Sequence, residues 1–242
     1  MDGMQVWAVA AVFVLAGAVK GITGMGLPTV AVSLLGLWMA PMQAAALLVL
    51  PSLATNMAQC AGPHGRALAT RLWPAWGALA VTTLAWPQAP SVPGARYALG
   101  VVLVLYGLFG LWRPVLADLS RTAPRRGPAI AGLVGAATGI VTAATAVFVM
   151  PLVPYLQALR LHKDEMVQAL GLSFTVATLA LALRLQAADH LSLGPSSVLA
   201  LVAAFGGLWL GARLRRRTSG TAFQRALFVV FIALGLANLL RG

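Results

Sequence analysis

The chain has 242 residues, of which 60% are hydrophobic and only 9% are charged. A soluble domain carries about 25% charged residues, so this composition excludes an ordinary soluble protein and predicts an all-α, polytopic membrane protein. The net charge of +12 does not indicate nucleic-acid binding, because the arginines stand between apolar runs, where basic residues orient a membrane protein.

Eight apolar segments are each close to the ~20 residues that a helix needs to cross the hydrocarbon core. In chain order they are 5–22, 43–61, 72–88, 95–112, 128–142, 165–184, 195–212 and 221–240. Two shorter apolar pieces, 28–38 and 145–159, either cross the membrane or only enter it. As a helix the first would extend about 17 Å, roughly half of the core.

The first long segment ends in the sequence VKGITGMGLP, which contains a lysine, three glycines and a proline. Glycine weakens a helix, and proline removes a backbone donor. Backbone groups without partners are tolerated at membrane depth only where they line a cavity inside the protein. We therefore expect a broken helix here. Its candidate substrate-binding residues are Lys20, Gly21, Thr23, Gly24 and Gly26.

Lys20 is the one plausible cation within a membrane segment. A charge there costs about 2.5–3.5 kcal/mol on the insertion scale, so such a residue is a functional candidate. Lys20 is either the counter-charge of a bound anion or a side chain that extends to the membrane surface. Asn56 and Gln59, on one face of the segment 43–61, are either further substrate-binding residues or partners in hydrogen bonds between helices.

Counting basic residues on each side decides whether the short pieces cross, because cytoplasmic loops collect lysine and arginine. If neither short piece crosses, the basic residues divide into eight and nine. If both cross, the division is 14 against three, and the minor side holds Arg96, Arg184 and Arg241. We therefore predict ten crossings, with both termini outside, and with a basic linker at 113–127 and the basic stretch 213–217 in the cytoplasm.

Five crossings in each half imply that the second half, 128–242, enters the membrane from the opposite side to the first half, 1–112. Two sequence matches support an inverted repeat, although a parallel repeat remains the alternative. The motif AG…TG recurs at an offset of 115, which pairs Thr23-Gly24 with Thr138-Gly139. The last segments also match, and Gly107-Leu108 pairs with Gly235-Leu236.

The second half contains a matching interruption, GLVGAATGIVTAATAVFVMPLVP. In secondary transporters with inverted repeats, two broken helices meet near the membrane midplane and expose their ends to the substrate. N–H groups freed at a helix start attract anions. The candidates in this half are Thr138, Gly139, Thr142, Thr145 and Ser173. Ser173 is also expected, with Gln168, Thr175 and Thr178, to make hydrogen bonds between helices.

The sequences AGAVKGITGMGLP, ALLVLPSLATNMAQ and AGLVGAATG…MPLVP…KDEMVQALGLSFTVATLAL resemble the sulfite exporter TauE/SafE family over about residues 8 to 240. The resemblance implies a multi-pass permease of the bacterial inner membrane. It also implies a substrate among sulfite, organosulfonates and related small anions, usually moved outward.

We expect a secondary transporter of small anions that works by alternating access. The alternatives are an anion channel, a membrane assembly partner and a membrane-embedded enzyme. An enzyme would need titratable or metal-binding side chains at the membrane. No predicted segment holds them in a recognisable arrangement, the three histidines stand in separate loops, and the chain has one cysteine. We therefore expect no enzymatic activity, cofactor, metal or nucleic-acid partner.

Overall fold

Helices dominate the computed structural model, which describes residues 3–86, 92–112, 116–120, 126–191, 194–215 and 220–241. The long helices are α1 (Gly3–Thr23), α3 (Pro41–Cys60), α4 (Gly65–Ala85), α5 (Val92–Trp112), α6 (Arg126–Thr145), α8 (Lys163–Ala187), α9 (Pro195–Leu214) and α10 (Gly220–Leu239). Two short helices, α2 (Leu27–Leu35) and α7 (Leu152–Ala158), lie in the two short apolar pieces. No strand occurs in these ranges, and the expected all-α class is confirmed.

Six of the long helices are long and apolar enough to cross a membrane, namely α1, α5, α6, α8, α9 and α10. The other two, α3 and α4, carry more polar residues. In α3, Ser52, Thr55 and Asn56 are buried, and the helix packs against α2, α8 and α9. Its polar side chains therefore contact protein rather than lipid. Burying them against protein costs less free energy than exposing them to lipid. The chain is a polytopic helical membrane protein.

Close approaches at glycine show that α1 is parallel to α9 and that α4 is parallel to α6. The residues that meet are Gly17 with Ala204, Gly21 with Leu208, Gly135 with Ala75, and Gly139 with Leu79. Side-chain hydrogen bonds show in the same way that α1 is parallel to α3 and that α4 is parallel to α8. The bonded pairs are Lys20 with Asn56, Gln59 with Gly24, Trp76 with Ser173, and Arg184 with Thr83.

Two further helix pairs are antiparallel, α3 with α8 and α5 with α10. Their contacts are Ser52 with Thr178, Gly62 with Gln168, Gly100 with Gly235, and Gly107 with Phe228. The end of α5 lies near the end of α1, because Tyr106 contacts Met25, and Leu99 near the start of α5 lies beside Gly36. The helices α1, α3, α5 and α9 therefore run one way, and α4, α6, α8 and α10 run the other way. Each long helix of the first half runs in the opposite direction to its counterpart in the second half, as an inverted repeat requires. The domain boundaries themselves stay a prediction.

The short helices lie where the chain must reverse. Because α1 and α3 run in the same direction, residues 24–40 have to bring the chain back across the bundle. Only nine of them form α2, which is about 13 Å long, so the rest of the return is irregular backbone. The same reasoning applies to α7 between α6 and α8. The ten membrane crossings themselves stay a prediction.

Basic residues divide unequally between the two ends of this bundle. The end where α1 and α9 finish, here called the basic end, holds the described residues Lys20, Arg66, Arg71, Arg126, Arg160, Lys163, Arg213, Arg215 and Arg225. The opposite end holds Arg96, Arg184 and Arg241. Exposed tryptophans occur near both ends, as they do at membrane interfaces. They are Trp73, Trp112 and Trp209 at the basic end, and Trp7, Trp38 and Trp86 at the opposite end.

Candidate functional site

The expected break after α1 is present. Gly24 and Gly26 have φ of 83° and 98°, a left-handed conformation that glycine adopts without steric cost. The Thr23 hydroxyl lies 2.9 Å from the Val19 carbonyl oxygen and accepts a hydrogen bond from the Met25 N–H at 3.2 Å. The α-helix therefore ends at Thr23, and α2 begins in a new direction at Leu27.

The second break repeats this geometry at Thr145. Its hydroxyl donates to the Val141 carbonyl oxygen at 2.7 Å and accepts from the Val147 N–H at 3.2 Å. Ala146, which follows it, has a φ of 57°. Each of these residues stands 122 positions after its counterpart in the first break. The sequence pairing of Thr23-Gly24 with Thr138-Gly139, at an offset of 115, is therefore wrong, and the equivalent of Gly24 is Ala146.

Thr138 and Gly139 lie within α6, away from its end. The Thr138 hydroxyl donates to the Val134 carbonyl oxygen at 2.7 Å. A Cβ on Gly139 would lie 2.5 Å from the Leu79 carbonyl oxygen and closer still to Thr82 Oγ1. This glycine therefore allows close packing of α6 on α4 rather than a bend. The sequence around Gly139 resembles the first break because a sharp bend and a close contact between helices both require a residue without a side chain.

Lys20 points into the protein. Its side chain is 2% exposed, and Nζ donates hydrogen bonds to Thr55 Oγ1 at 3.0 Å and to Asn56 Oδ1. Both acceptors belong to α3, so the ammonium group joins the end of α1 to the adjacent helix. This placement differs from that of a lysine that extends to the membrane surface.

The hydrogen-bond network continues from Asn56 into the second half of the chain. Asn56 Nδ2 donates to Ser52 Oγ at 3.2 Å, and Ser52 Oγ lies 3.0 Å from Thr178 Oγ1 on α8. The Lys20 ammonium is thus connected through three neutral side chains to α8. Gln59 joins α3 to the first break, because its Nε2 donates a hydrogen bond to the Gly24 carbonyl oxygen at 2.7 Å.

No carboxylate of the described residues neutralises Lys20. Among those residues, the Glu165 carboxylate lies near His64, with Oε1 3.8 Å from His64 Nδ1. Asp118, Asp164, Glu165 and Asp189 all lie in connections or at helix ends, and Asp2 is outside the described residues. Burying a charge without a partner is expensive, and the described hydrogen-bond acceptors of Lys20 are neutral oxygens.

A cavity of about 310 Å³ adjoins the first break on the side of the basic end. Thr23, Met25 and Gly26 form its wall at the break. Aromatic side chains of α5 and α10 form much of the remainder, namely Tyr106, Phe109, Phe228 and Phe231. The broken backbone of the first half therefore lines a cavity of the protein, where irregular backbone is tolerated in a membrane.

Two of the remaining candidates, Gly21 and Ser173, take part in contacts between helices. Gly21 abuts the backbone of α9 at Leu208. Ser173 accepts a hydrogen bond from Trp76 Nε1 at 2.9 Å, which is the expected contact between helices. Thr142 donates to the Thr138 carbonyl oxygen at 2.8 Å and stands at the position equivalent to Lys20. The two breaks thus have similar backbone geometry, but the first has a lysine where the second has a neutral threonine.

Two buried hydroxyls near the first break were missed at the sequence level. Thr55 accepts from Lys20 and is also 2.7 Å from the Pro51 carbonyl oxygen. Thr29 lies in the first turn of α2, is 0% exposed, and has no hydrogen-bond partner for Oγ1 within the described part of the chain. Their positions in the sequence could have indicated them, because Thr55 directly precedes Asn56 and Thr29 directly follows Pro28.

A family model described as sulfite exporter TauE/SafE matches residues 9–238. The match covers the two breaks, Lys20 and the network that joins α1, α3 and α8. No curated protein and no solved structure matches the chain.

Proposed function

We propose that this chain, which belongs to the sulfite exporter TauE/SafE family, is a secondary transporter that moves sulfite, an organosulfonate or a related small anion by alternating access. The family is one of membrane transporters of sulfur-containing anions, which favours transport over the activity of a membrane-embedded enzyme. The substrate in this proposal binds at the first break, with Lys20 as its counter-charge.

The buried ammonium of Lys20 carries the proposal. Its described hydrogen-bond acceptors are neutral oxygens, and a substrate anion would supply the missing negative charge. A contact of this kind is worth about 1.5–3 kcal/mol, enough to distinguish an anion from a neutral solute of similar size. The adjacent cavity at Thr23 and Gly26 offers a route between the break and the basic end.

The inverted directions of the two halves support an alternating-access mechanism. In such transporters one repeat moves against the other around a site near the midplane. We assign 1–112 to the first repeat, 113–127 to the linker and 128–242 to the second repeat. The excess of basic residues at one end supports an orientation in which that end faces the cytoplasm and the chain spans a bacterial inner membrane.

Flux into proteoliposomes tests this function. Purified protein should transport sulfite or methanesulfonate faster than protein-free vesicles do, with saturation and with counterflow of preloaded anion. Acetate serves as the carboxylate control. Flux that rises linearly without saturation or counterflow would indicate a channel, and vesicles in which no anion moves faster than in the protein-free control would refute transport.

A further inference from the structure

A cavity of about 650 Å³, here called the vestibule, opens at the opposite end of the bundle. It lies among the beginnings of α1, α3, α5 and α9. Polar side chains in its wall include Gln5, Gln43, Arg96, His190 and Ser197, and Trp38 forms part of the apolar wall. No carboxylate occurs among the described residues that line it.

Two of the three described basic residues at this end are engaged in holding helix ends together. Arg184 donates to the carbonyl oxygens of Thr83 at 3.0 Å and Trp86 at 2.7 Å, which ties α8 to the end of α4. Arg241 donates to the Leu37 carbonyl oxygen at 2.7 Å, which ties the end of α10 to the connection after α2.

Arg96 differs from both. It lines the vestibule, and its Nε is buried without a hydrogen-bond partner in the part of the chain that the structure describes. A buried donor left without an acceptor costs free energy, more so when it is charged. A guanidinium presents a planar fork of donors that matches the oxygens of an oxyanion.

We propose that the vestibule is a second anion-binding site, with Arg96 as its positive charge and a small sulfonate or sulfite-type oxyanion as its ligand. This proposal rests on the proposed transport function for its ligand class. Lys20 contacts Asn56, whereas the vestibule reaches Gln43 on the same helix, so the two sites are separated by about 20 Å along α3. The vestibule holds the anion at the face where it leaves or enters the protein.

The test measures protection of a cysteine in the vestibule wall, and it requires no transport. Gln43 is exposed and lines the vestibule, so Gln43→Cys is made on a Cys60→Ala background and labelled with a cationic methanethiosulfonate reagent in detergent-purified protein. Methanesulfonate is the probe because sulfite itself attacks the reagent. Gluconate at equal ionic strength is the control anion.

Methanesulfonate should slow the labelling in a saturable way. Arg96→Gln should raise the concentration needed for half protection about 10-fold or more, and Arg96→Lys should retain part of the protection. Arg241→Gln is the matched control and should leave protection unchanged. Absence of protection in the parent protein, or full protection in folded Arg96→Gln, would overturn the proposal.

Lys20→Gln separates this inference from the proposed function. Protection of Cys at position 43 should persist in Lys20→Gln, because the vestibule does not include Lys20. If Lys20→Gln abolished this protection, the vestibule would not be a separate site. Normal flux in Lys20→Gln would instead contradict the role of Lys20 and leave the vestibule standing.

Discussion

Lys20 Nζ lies 3.0 Å from Thr55 Oγ1, although the two residues are 35 positions apart in the chain. The contact brings the last turn of α1, which ends at a broken backbone, against a polar turn of α3. Lys20 is 2% exposed, and its Nζ is directed into the protein.

Replacing Lys20 should stop transport without unfolding the protein. Lys20→Gln and Lys20→Met should lower anion affinity about 10- to 100-fold, because a hydrogen bond to a charged group contributes about 1.5–3 kcal/mol. Lys20→Arg should keep part of the activity, since the charge remains but the group is larger and planar. Initial flux of sulfite or methanesulfonate per inserted protein is the measurement. Wild-type flux in Lys20→Gln would rule out the counter-charge role.

Export should respond to membrane potential alone. The carboxylates of the described chain lie in connections or at helix ends, so the Asp or Glu that commonly binds a coupling proton or sodium ion at membrane depth is not available there. A monovalent anion leaving a negative interior gains about 2.3 kcal/mol per 100 mV. Proteoliposomes with an imposed potassium diffusion potential should show accelerated flux without a sodium or pH gradient. A strict requirement for either gradient would contradict this mechanism.

The two ends of the bundle should be accessible from opposite sides of the membrane. Ser120 lies in the connection at the basic end, and Leu240 lies at the opposite end. On a Cys60→Ala background, an impermeant thiol reagent applied to intact cells should label Leu240→Cys but not Ser120→Cys. Permeabilised cells, in which both sites should react, provide the control. Labelling of both sites in intact cells would contradict the ten-crossing topology.

Gly139 should matter for stability rather than for substrate recognition. In Gly139→Ala the new Cβ meets the Leu79 carbonyl oxygen at 2.5 Å, so α6 must move away from α4 and the melting temperature should fall. Gly132→Ala is the matched control in the same helix. A Cβ there meets nothing within 4 Å, and alanine favours the helix by up to about 1 kcal/mol. An unchanged melting temperature together with a raised KM in Gly139→Ala would instead indicate a substrate contact.

Composition and the apolar segments were sufficient to predict the helical membrane class and the ten helical segments, and the glycines and proline after Lys20 predicted the site of the first break. These features are local, because lipid imposes the same demand for apolar side chains and internally paired backbone on every crossing. The family resemblance could also be read from the order of glycine and proline motifs, and it is confirmed by the match over residues 9–238.

The position of the second break and the surroundings of Lys20 were decided only by the tertiary structure. A glycine in an apolar run serves equally to bend the backbone or to admit a neighbouring helix, and the use depends on what faces it. Gly139 faces Leu79, whereas the second bend falls at Ala146. Likewise, a lysine near a helix end can reach the surface or a polar partner, and Thr55 and Asn56 become its partners only because α3 folds back beside α1.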